Sequence, residues 1–144
     1  IPAKGYSVTV PIECDRAAPC VSLIDDENKL VFSRLGNTLR AAGTAELTGY
    51  DDSIIKPRCD AILNKVRQMF PDLGSYSNVE YWAGLRPTTP SNYPYIGATR
   101  YRNLWVNTGH GTLGWTLGCG SGKMLADIMT TGKSDLDSTE LYCR

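Results

Sequence analysis

Between Asn107 and Lys123 the sequence reads NTGHGTLGWTLGCGSGK, which places six glycines in a short run. Such a run leaves the main chain bare and free to take positive φ, and an apolar helical pattern follows it directly. A backbone of this kind suits a flat or anionic ligand held against a helix N-terminus. It suits equally a helix whose small residues pack closely on a sheet. The run is read as neither of two phosphate cradles. A dinucleotide-binding turn needs its glycines directly after a strand, with an acidic residue about 20 positions on, and GCGSGK at the end of the run lacks the GxxxxGK[ST] frame of a P-loop.

With 144 residues the chain has the length of about one domain, enough to bury roughly two-thirds of the surface its unfolded form exposes. A formal net charge of +0, with scattered basic residues, speaks against nucleic acid or an anionic membrane as the main partner. Five cysteines (Cys14, Cys20, Cys59, Cys119 and Cys143) form an odd set without CxxC, which indicates neither a zinc site nor a complete disulfide framework and favours a reducing compartment. The single histidine, His110, leaves little material for a metal site or a His-based triad. No apolar run approaches the roughly 20 residues of a membrane span, and the N-terminus has no signal-peptide pattern. The sequence opens on Ile1 and leads straight into a strand, as expected of a processed chain or a piece of a larger one.

The first half reads as a meander. Tyr6 to Ile12, Val21 to Ile24, Leu30 to Phe32 and Thr38 to Leu47 are strand-like, with a polar turn at Asp25 to Asn28 and Pro11 at a strand end or edge. From Ser53 the period changes. Ile54, Ile55, Ala61, Ile62, Val66 and Met69 fall on roughly one helical face, and the spacing predicts a helix from about Pro57 to Phe70, stopped by Pro71. Val79 to Leu85 and Leu104 to Asn107 read as strands, and Thr116 to Met129 as a second helix ended by Gly132.

Four blocks carry a resemblance: KGYSVTVPI at Lys4 to Ile12, WAGLRPTTP at Trp82 to Pro90, PYIG at Pro94 to Gly97, and NLWVNTGHGTLGWTLGCGSGKMLADIM at Asn103 to Met129. In order and over nearly the whole chain, they resemble the C-terminal part of the bacterial D-amino-acid dehydrogenases (small subunit), flavoproteins of the D-amino-acid and glycine oxidase family. The resemblance implies an α+β fold. A largely antiparallel sheet of a substrate-binding domain with flanking helices would occupy residues 1–100. A C-terminal strand, Gly-rich turn and helix belonging to an FAD-binding domain would occupy 101–132, and 133–144 would be a tail. Members of the family bind FAD mainly through an N-terminal Rossmann half, which this sequence does not open with. That missing half is therefore an expected partner, and the isolated chain is expected to be inactive.

Residue by residue, Arg86 of GLRP matches the arginine that clamps the substrate carboxylate, a task suited to a planar guanidinium that meets both oxygens at once. Tyr50, Tyr93 and Tyr95 are candidates to line the substrate pocket. Gly111, Thr112, Leu113, Gly114, Trp115, Thr116 and Leu117 match the segment laid beside the flavin ring. There, backbone N–H groups at a helix start would stabilise the negative charge of the reduced cofactor. Thr116 would cap the helix or donate to the ring. His110 is expected to be structural, at the cofactor edge, because hydride transfer from a neutral amine needs orientation more than a base. No catalytic or metal-ligating residue is assigned.

The implied activity is oxidation of a D-amino acid to a 2-oxo acid and ammonia, with electrons passed to a membrane quinone or another electron-transfer acceptor. The place implied is the cytoplasm, peripheral to the inner membrane. A glycine- or sarcosine-type amine oxidase is the enzymatic alternative, and a non-catalytic binding or assembly module is the alternative of another class. If the Thr116 helix packs on an absent domain, its bare apolar face would favour self-association.

Overall fold

The structure, a computed structural model, describes residues 1–136. Seven strands and two helices follow one another as β1 (Pro2–Pro11), β2 (Leu23–Asp25), β3 (Leu30–Leu35), β4 (Thr38–Glu46), α1 (Lys56–Met69), β5 (Glu80–Pro87), β6 (Tyr95–Ala98), β7 (Trp105–Thr108) and α2 (Gly114–Thr131). Short 3-10 turns lie at Asp15–Ala17 and Gly111–Leu113. The mixed composition and the antiparallel sheet agree with the expected fold class. Two compact units result, one of Lys4–Leu85 and one of Ile1–Ala3 with the described residues from Arg86 on. The expected tail at 133–144 falls for the most part outside the described residues, as does Cys143.

In the first unit a five-stranded sheet runs in the order β2-β3-β4-β1-β5. The β3–β4 hairpin closes through a two-residue loop, since Leu35 pairs with Thr38. Gly36 takes φ +60 at the first loop position, the glycine requirement of a tight hairpin. Between β2 and β3 the Asp25 carboxylate accepts from the backbone N–H of Asn28 at 2.9 Å and from its amide at 2.8 Å. An aspartate opening a polar turn commonly does this. Pro11 ends β1, where its missing N–H costs no ladder bond.

Alternation decides which face is buried. Tyr6, Val8 and Val10 of β1, Phe32 of β3 and Leu39 and Ala41 of β4 point to one side and are sealed from solvent. Helix α1 covers that side with Cys59, Ile62, Leu63 and Val66, the i, i+3, i+4, i+7 stripe. The stripe differs from the one anticipated. Ile54 and Ile55 precede the helix and are exposed, and Ala61 and Met69 lie off the stripe and face solvent. Only the Ile62 and Val66 of the anticipated face remain inside. Pro57 sits in the first turn, where its absent N–H is no loss, and Phe70 closes the helix through its N–H to the Val66 carbonyl at 2.8 Å. The ring of Phe70 then meets Phe32 edge-on at 5.6 Å between centroids.

In the second unit β6 and β7 form an antiparallel hairpin in which Tyr95 faces Thr108 and Ala98 faces Trp105. Helix α2 lays Ser121, Met124 and Ile128 inward, and the last two form a small apolar cluster with Ile96. Gly132, at φ +81, ends α2 in the left-handed conformation expected of a glycine C-cap.

Because Phe32 is fully buried and holds the Phe70 ring, Phe32→Ala should cost about 3–5 kcal/mol of unfolding free energy. Urea denaturation followed by far-UV circular dichroism checks this, and a loss below about 1 kcal/mol would contradict the packing described.

Candidate functional site

The glycine run folds as a 3-10 turn leading into α2. Gly109 takes φ +87 and Gly111 φ +56, so the chain turns sharply twice around His110 before the helix begins. Helix α2 starts at Gly114, two residues before the anticipated start, because the 3-10 turn feeds into it without a break. Thr116 is therefore inside the first turn and is not the N-cap. That position is Leu113, whose side chain makes no capping bond. The first turn of α2 thus offers backbone N–H groups that no side chain caps. Gly109, His110, Gly111, Thr112, Leu113 and Gly114 also spell GxGxxG after β7. The dinucleotide-binding unit requires a second parallel strand after its helix, and no strand follows α2 among the described residues.

Beside this turn lies a mostly apolar cavity of about 360 Å³, lined by Tyr93, Pro94, Ile96, His110, Thr116 and Leu117, with Ser121 and Met124 from further along α2. The His110 Nε2 atom is buried and has no hydrogen-bond partner among the described residues. A buried, unsatisfied imidazole nitrogen at a cavity wall costs free energy unless a ligand or water meets it. Ser121 is itself satisfied, donating to the Gly118 carbonyl at 3.2 Å.

The anticipated cofactor segment divides over this geometry. Gly111, Thr112 and Leu113 form the 3-10 turn, and Gly114 to Leu117 the first turn of α2. Thr116 and Leu117 reach the cavity. Trp115 is 100 % exposed and Leu113 54 %. Of the substrate candidates, Tyr93 lines the same cavity and Tyr95 stands on β6, 37 % exposed. Arg86 is half-buried near the end of β5. Tyr50 belongs to the other unit, on the segment between β4 and α1, and is 87 % exposed.

Two features of the Lys4–Leu85 unit were not anticipated. The sheet face turned away from α1 holds a second cavity of about 380 Å³ lined by Ser7, Thr9, Leu35, Arg40, Glu80 and Trp82. Within it the Arg40 guanidinium lies 5.4 Å from the Trp82 ring, and the indole folds over Gly84, where a Cβ would stand 2.3 Å from the ring. The alternation of Tyr6, Ser7, Val8, Thr9 and Val10 along β1 was the clearest signal for this face. The second feature is Lys4, whose side chain is wholly buried and ion-paired to Asp51 at 3.2 Å and Glu46 at 3.6 Å. Burial works against its charge, but hydrogen bonds with Tyr6 and Asp51 and the two carboxylates outweigh that and raise its pKa. Asp51 is brought down to about 2, first by hydrogen bonds from the backbone and side chain of Ser53 and then by Lys4.

Comparison with known proteins assigns this fold. The FAD dependent oxidoreductase family matches residues 1–128, and the chain belongs to that family. It is 58 % identical over 130 residues to a D-amino acid dehydrogenase of Paramagnetospirillum magneticum, covering 90 % of this chain and 31 % of the relative. To a D-amino acid dehydrogenase of Dechloromonas aromatica it is 55 % identical over 142 residues, 99 % of this chain and 34 % of the relative. The chain thus spans about a third of the length of the curated relatives it matches. Among solved structures, glycine oxidase from Geobacillus kaustophilus superposes with a TM-score of 0.87 at 23 % identity, over 99 % of this chain and 38 % of that one. L-proline dehydrogenase from P. horikoshii gives 0.76 at 21 %, over 94 % and 37 %. These two show the shared fold.

Two outcomes check the geometry. Gly109→Ala would place a Cβ 2.6 Å from Thr89 Cγ2, and Thr89 is fixed by its hydroxyl bond to the Tyr93 carbonyl at 2.7 Å. Gly111→Ala meets only an ordinary 3.5 Å contact, so its cost should stay near the left-handed strain of roughly 1–2 kcal/mol while Gly109→Ala exceeds it. Chemical denaturation of both variants gives the order, and the reverse order would refute it. Separately, the unfolded chain protonates Asp51 near 3.8 and the native chain near 2. Its contribution is therefore complete above about pH 4 and lost as pH falls from there towards 2. Unfolding curves across pH 2–7 should show that loss, diminished in Asp51→Asn.

Proposed function

We propose that this chain supplies the substrate side, and part of the cofactor side, of an FAD-dependent dehydrogenase that oxidises D-amino acids. The single observation carrying the reading is identity of 55–58 % with two proteins named D-amino acid dehydrogenase, extending over 90–99 % of this chain. Residues 101–132, with β7, the Gly-rich turn and α2, belong in this reading to the FAD-binding portion, and residues 1–100 to the substrate portion.

What this chain's residues do follows from their chemistry. The Arg86 guanidinium holds the substrate carboxylate by two parallel hydrogen bonds, which fixes the α-carbon. Tyr95, on β6, lines the substrate pocket in this reading. The uncapped N–H groups at the start of α2, together with Gly111, Thr112, Leu113, Gly114, Trp115, Thr116 and Leu117, border the cofactor and favour negative charge on it. The residues present fit such a group, because His110 Nε2 is buried without a partner at a cavity wall beside that helix start. FAD bound there would supply the two-electron oxidation of the amino acid at its α-carbon, and reaction of the oxidised product with water would give a 2-oxo acid and ammonia. The pocket's task is orientation and exclusion of water, so no base is required of this chain.

Electrons then pass to a membrane quinone or electron-transfer acceptor, with the protein in the cytoplasm and peripheral to the inner membrane. Among the described residues no helix is long and apolar enough to cross a membrane. The fully exposed Trp115 side chain supports association, either with the FAD-binding half supplied by a longer chain or with a second copy.

The test is anaerobic. In the complete protein that carries this sequence, D-alanine should bleach the flavin absorbance near 450 nm and L-alanine should not. Arg86→Lys should raise KM for D-alanine by about ten- to a hundredfold, since a point charge cannot reproduce the two-pronged contact. A flavin bleached by neither enantiomer, or an unchanged KM, would overturn the assignment.

A further inference from the structure

On the sheet face turned away from α1, strand register sets the residues in rows. Thr9 pairs with Arg40 and Arg40 with Ser33, so these stand side by side across β1, β4 and β3. Ser7 occupies the adjoining row with Ala42 and Val31. On the other side of β1 lies β5, and its Glu80 and Trp82 line the same cavity of about 380 Å³ as Ser7, Thr9, Leu35 and Arg40. All of these residues belong to the Lys4–Leu85 unit.

Elsewhere in this unit charged groups find partners within the chain: Glu13 accepts from the Ser75 hydroxyl at 2.6 Å, and Asp60 from Lys56 at 2.8 Å and from Tyr81 at 2.6 Å. In the cavity they do not. The side chains of Ser7, Thr9, Arg40 and Glu80 make no hydrogen bond or ion pair among the described residues. Ser7 is 2 % exposed, and a hydroxyl so far withdrawn from solvent finds its partner in what occupies the cavity. The aromatic wall lies flat beside these groups. Gly84 follows Trp82 at the next position on the same face and leaves room for the indole, which a Cβ there would meet at 2.3 Å. The Arg40 guanidinium lies over that ring, 5.4 Å from its centroid, a contact that steadies the cation and leaves its in-plane N–H donors for an acceptor.

The groups present select one ligand class. A guanidinium with two hydroxyls beside it suits a carboxylate, the Glu80 carboxylate suits an ammonium, and Leu35 with the indole of Trp82 suits an apolar side chain. We propose that this cavity binds a free α-amino acid with an apolar side chain, Arg40 holding its carboxylate, Glu80 its ammonium, and Trp82 and Leu35 its side chain. The site uses residues of one unit alone and does not involve Arg86, so it stands on its own groups and goes beyond the activity proposed above. Both charges of the ligand are needed, because a molecule with only one of them leaves either Arg40 or Glu80 facing the cavity without a counter-charge.

Isothermal titration calorimetry of the complete protein tests this, with both enantiomers of phenylalanine as probes, under anaerobic conditions and with the flavin reduced so that nothing is turned over. The expected result is saturable binding of at least one enantiomer, weakened by at least about tenfold in Arg40→Met and changed by less than about twofold in Arg86→Lys. Hydrocinnamate, which lacks the ammonium, should bind at least about tenfold more weakly than phenylalanine, and Glu80→Gln should erase that difference. Glu80 is exposed, so its variant keeps the test usable if Arg40→Met fails to fold by circular dichroism. No saturation by either enantiomer up to about 10 mM, or binding lost in Arg86→Lys and kept in Arg40→Met, would overturn the site. Hydrocinnamate bound as tightly as phenylalanine would overturn the assignment of the ligand class. None of these readouts depends on turnover, so a failed activity assay and a failed binding assay remain separate results.

Discussion

An antiparallel sheet with one apolar face folds only if something covers that face, and in residues 4–85 a single helix does so. The stripe of Cys59, Ile62, Leu63 and Val66 on α1 seals Tyr6, Val8, Val10, Phe32, Leu39 and Ala41, and Phe70 and Leu73 extend the cover past the helix end. At about 1.5–3 kcal/mol for each large apolar side chain removed from water, this layer is the main favourable term of the unit. Everything polar is thereby pushed to the rim or the far side. The opposite sheet face, left free of that duty, carries Ser7, Thr9, Arg40, Glu80 and Trp82 around a cavity.

Where local pattern and burial agree, the sequence was sufficient. The strands of the meander, the helix after Pro57 and the glycine stop at Gly132 lie within a few residues of their expected bounds, because alternation, proline placement and a left-handed C-cap are local properties. Other features depend on tertiary context. β6 is four residues long, too short for alternation to show, and PYIG was legible as a motif but not as a strand. The face of α1 was misjudged because Ile54 and Ile55 look helical in period yet precede the helix. The start of α2 was placed late because no Ser, Thr, Asp or Asn caps it and a 3-10 turn leads in.

The candidate site was legible to a different degree. Motifs pointed to Arg86 and to the turn around Gly111, and the gathering of Tyr93, His110, Thr116 and Leu117 at one cavity follows from the β6–β7 hairpin packing on α2. Lys4 was invisible as a site residue because a lysine is by default a surface residue. Only the position of Glu46, Asp51 and Ser53, more than 40 residues away in sequence, reveals it as a buried centre. Among the described residues, a buried ionic cluster at one end of the sheet and an imidazole nitrogen without a hydrogen-bond partner at the helix start are places where packing alone does not explain the chemistry present.

The strand order has a consequence for how the chain comes into being. Of the strands in this sheet β1 comes first in sequence yet lies between β4 and β5, so one of its edges pairs with residues 38–46 and the other with residues 80–87. The β3–β4 hairpin, closed by a two-residue loop, and the β2–β3 hairpin, closed by the turn after Asp25, are the local parts of the sheet that can form promptly. The β3–β4 pair offers β1 one docking edge and β5 supplies the other, a pairing that spans most of residues 1–88 and so carries a high loop-closure cost.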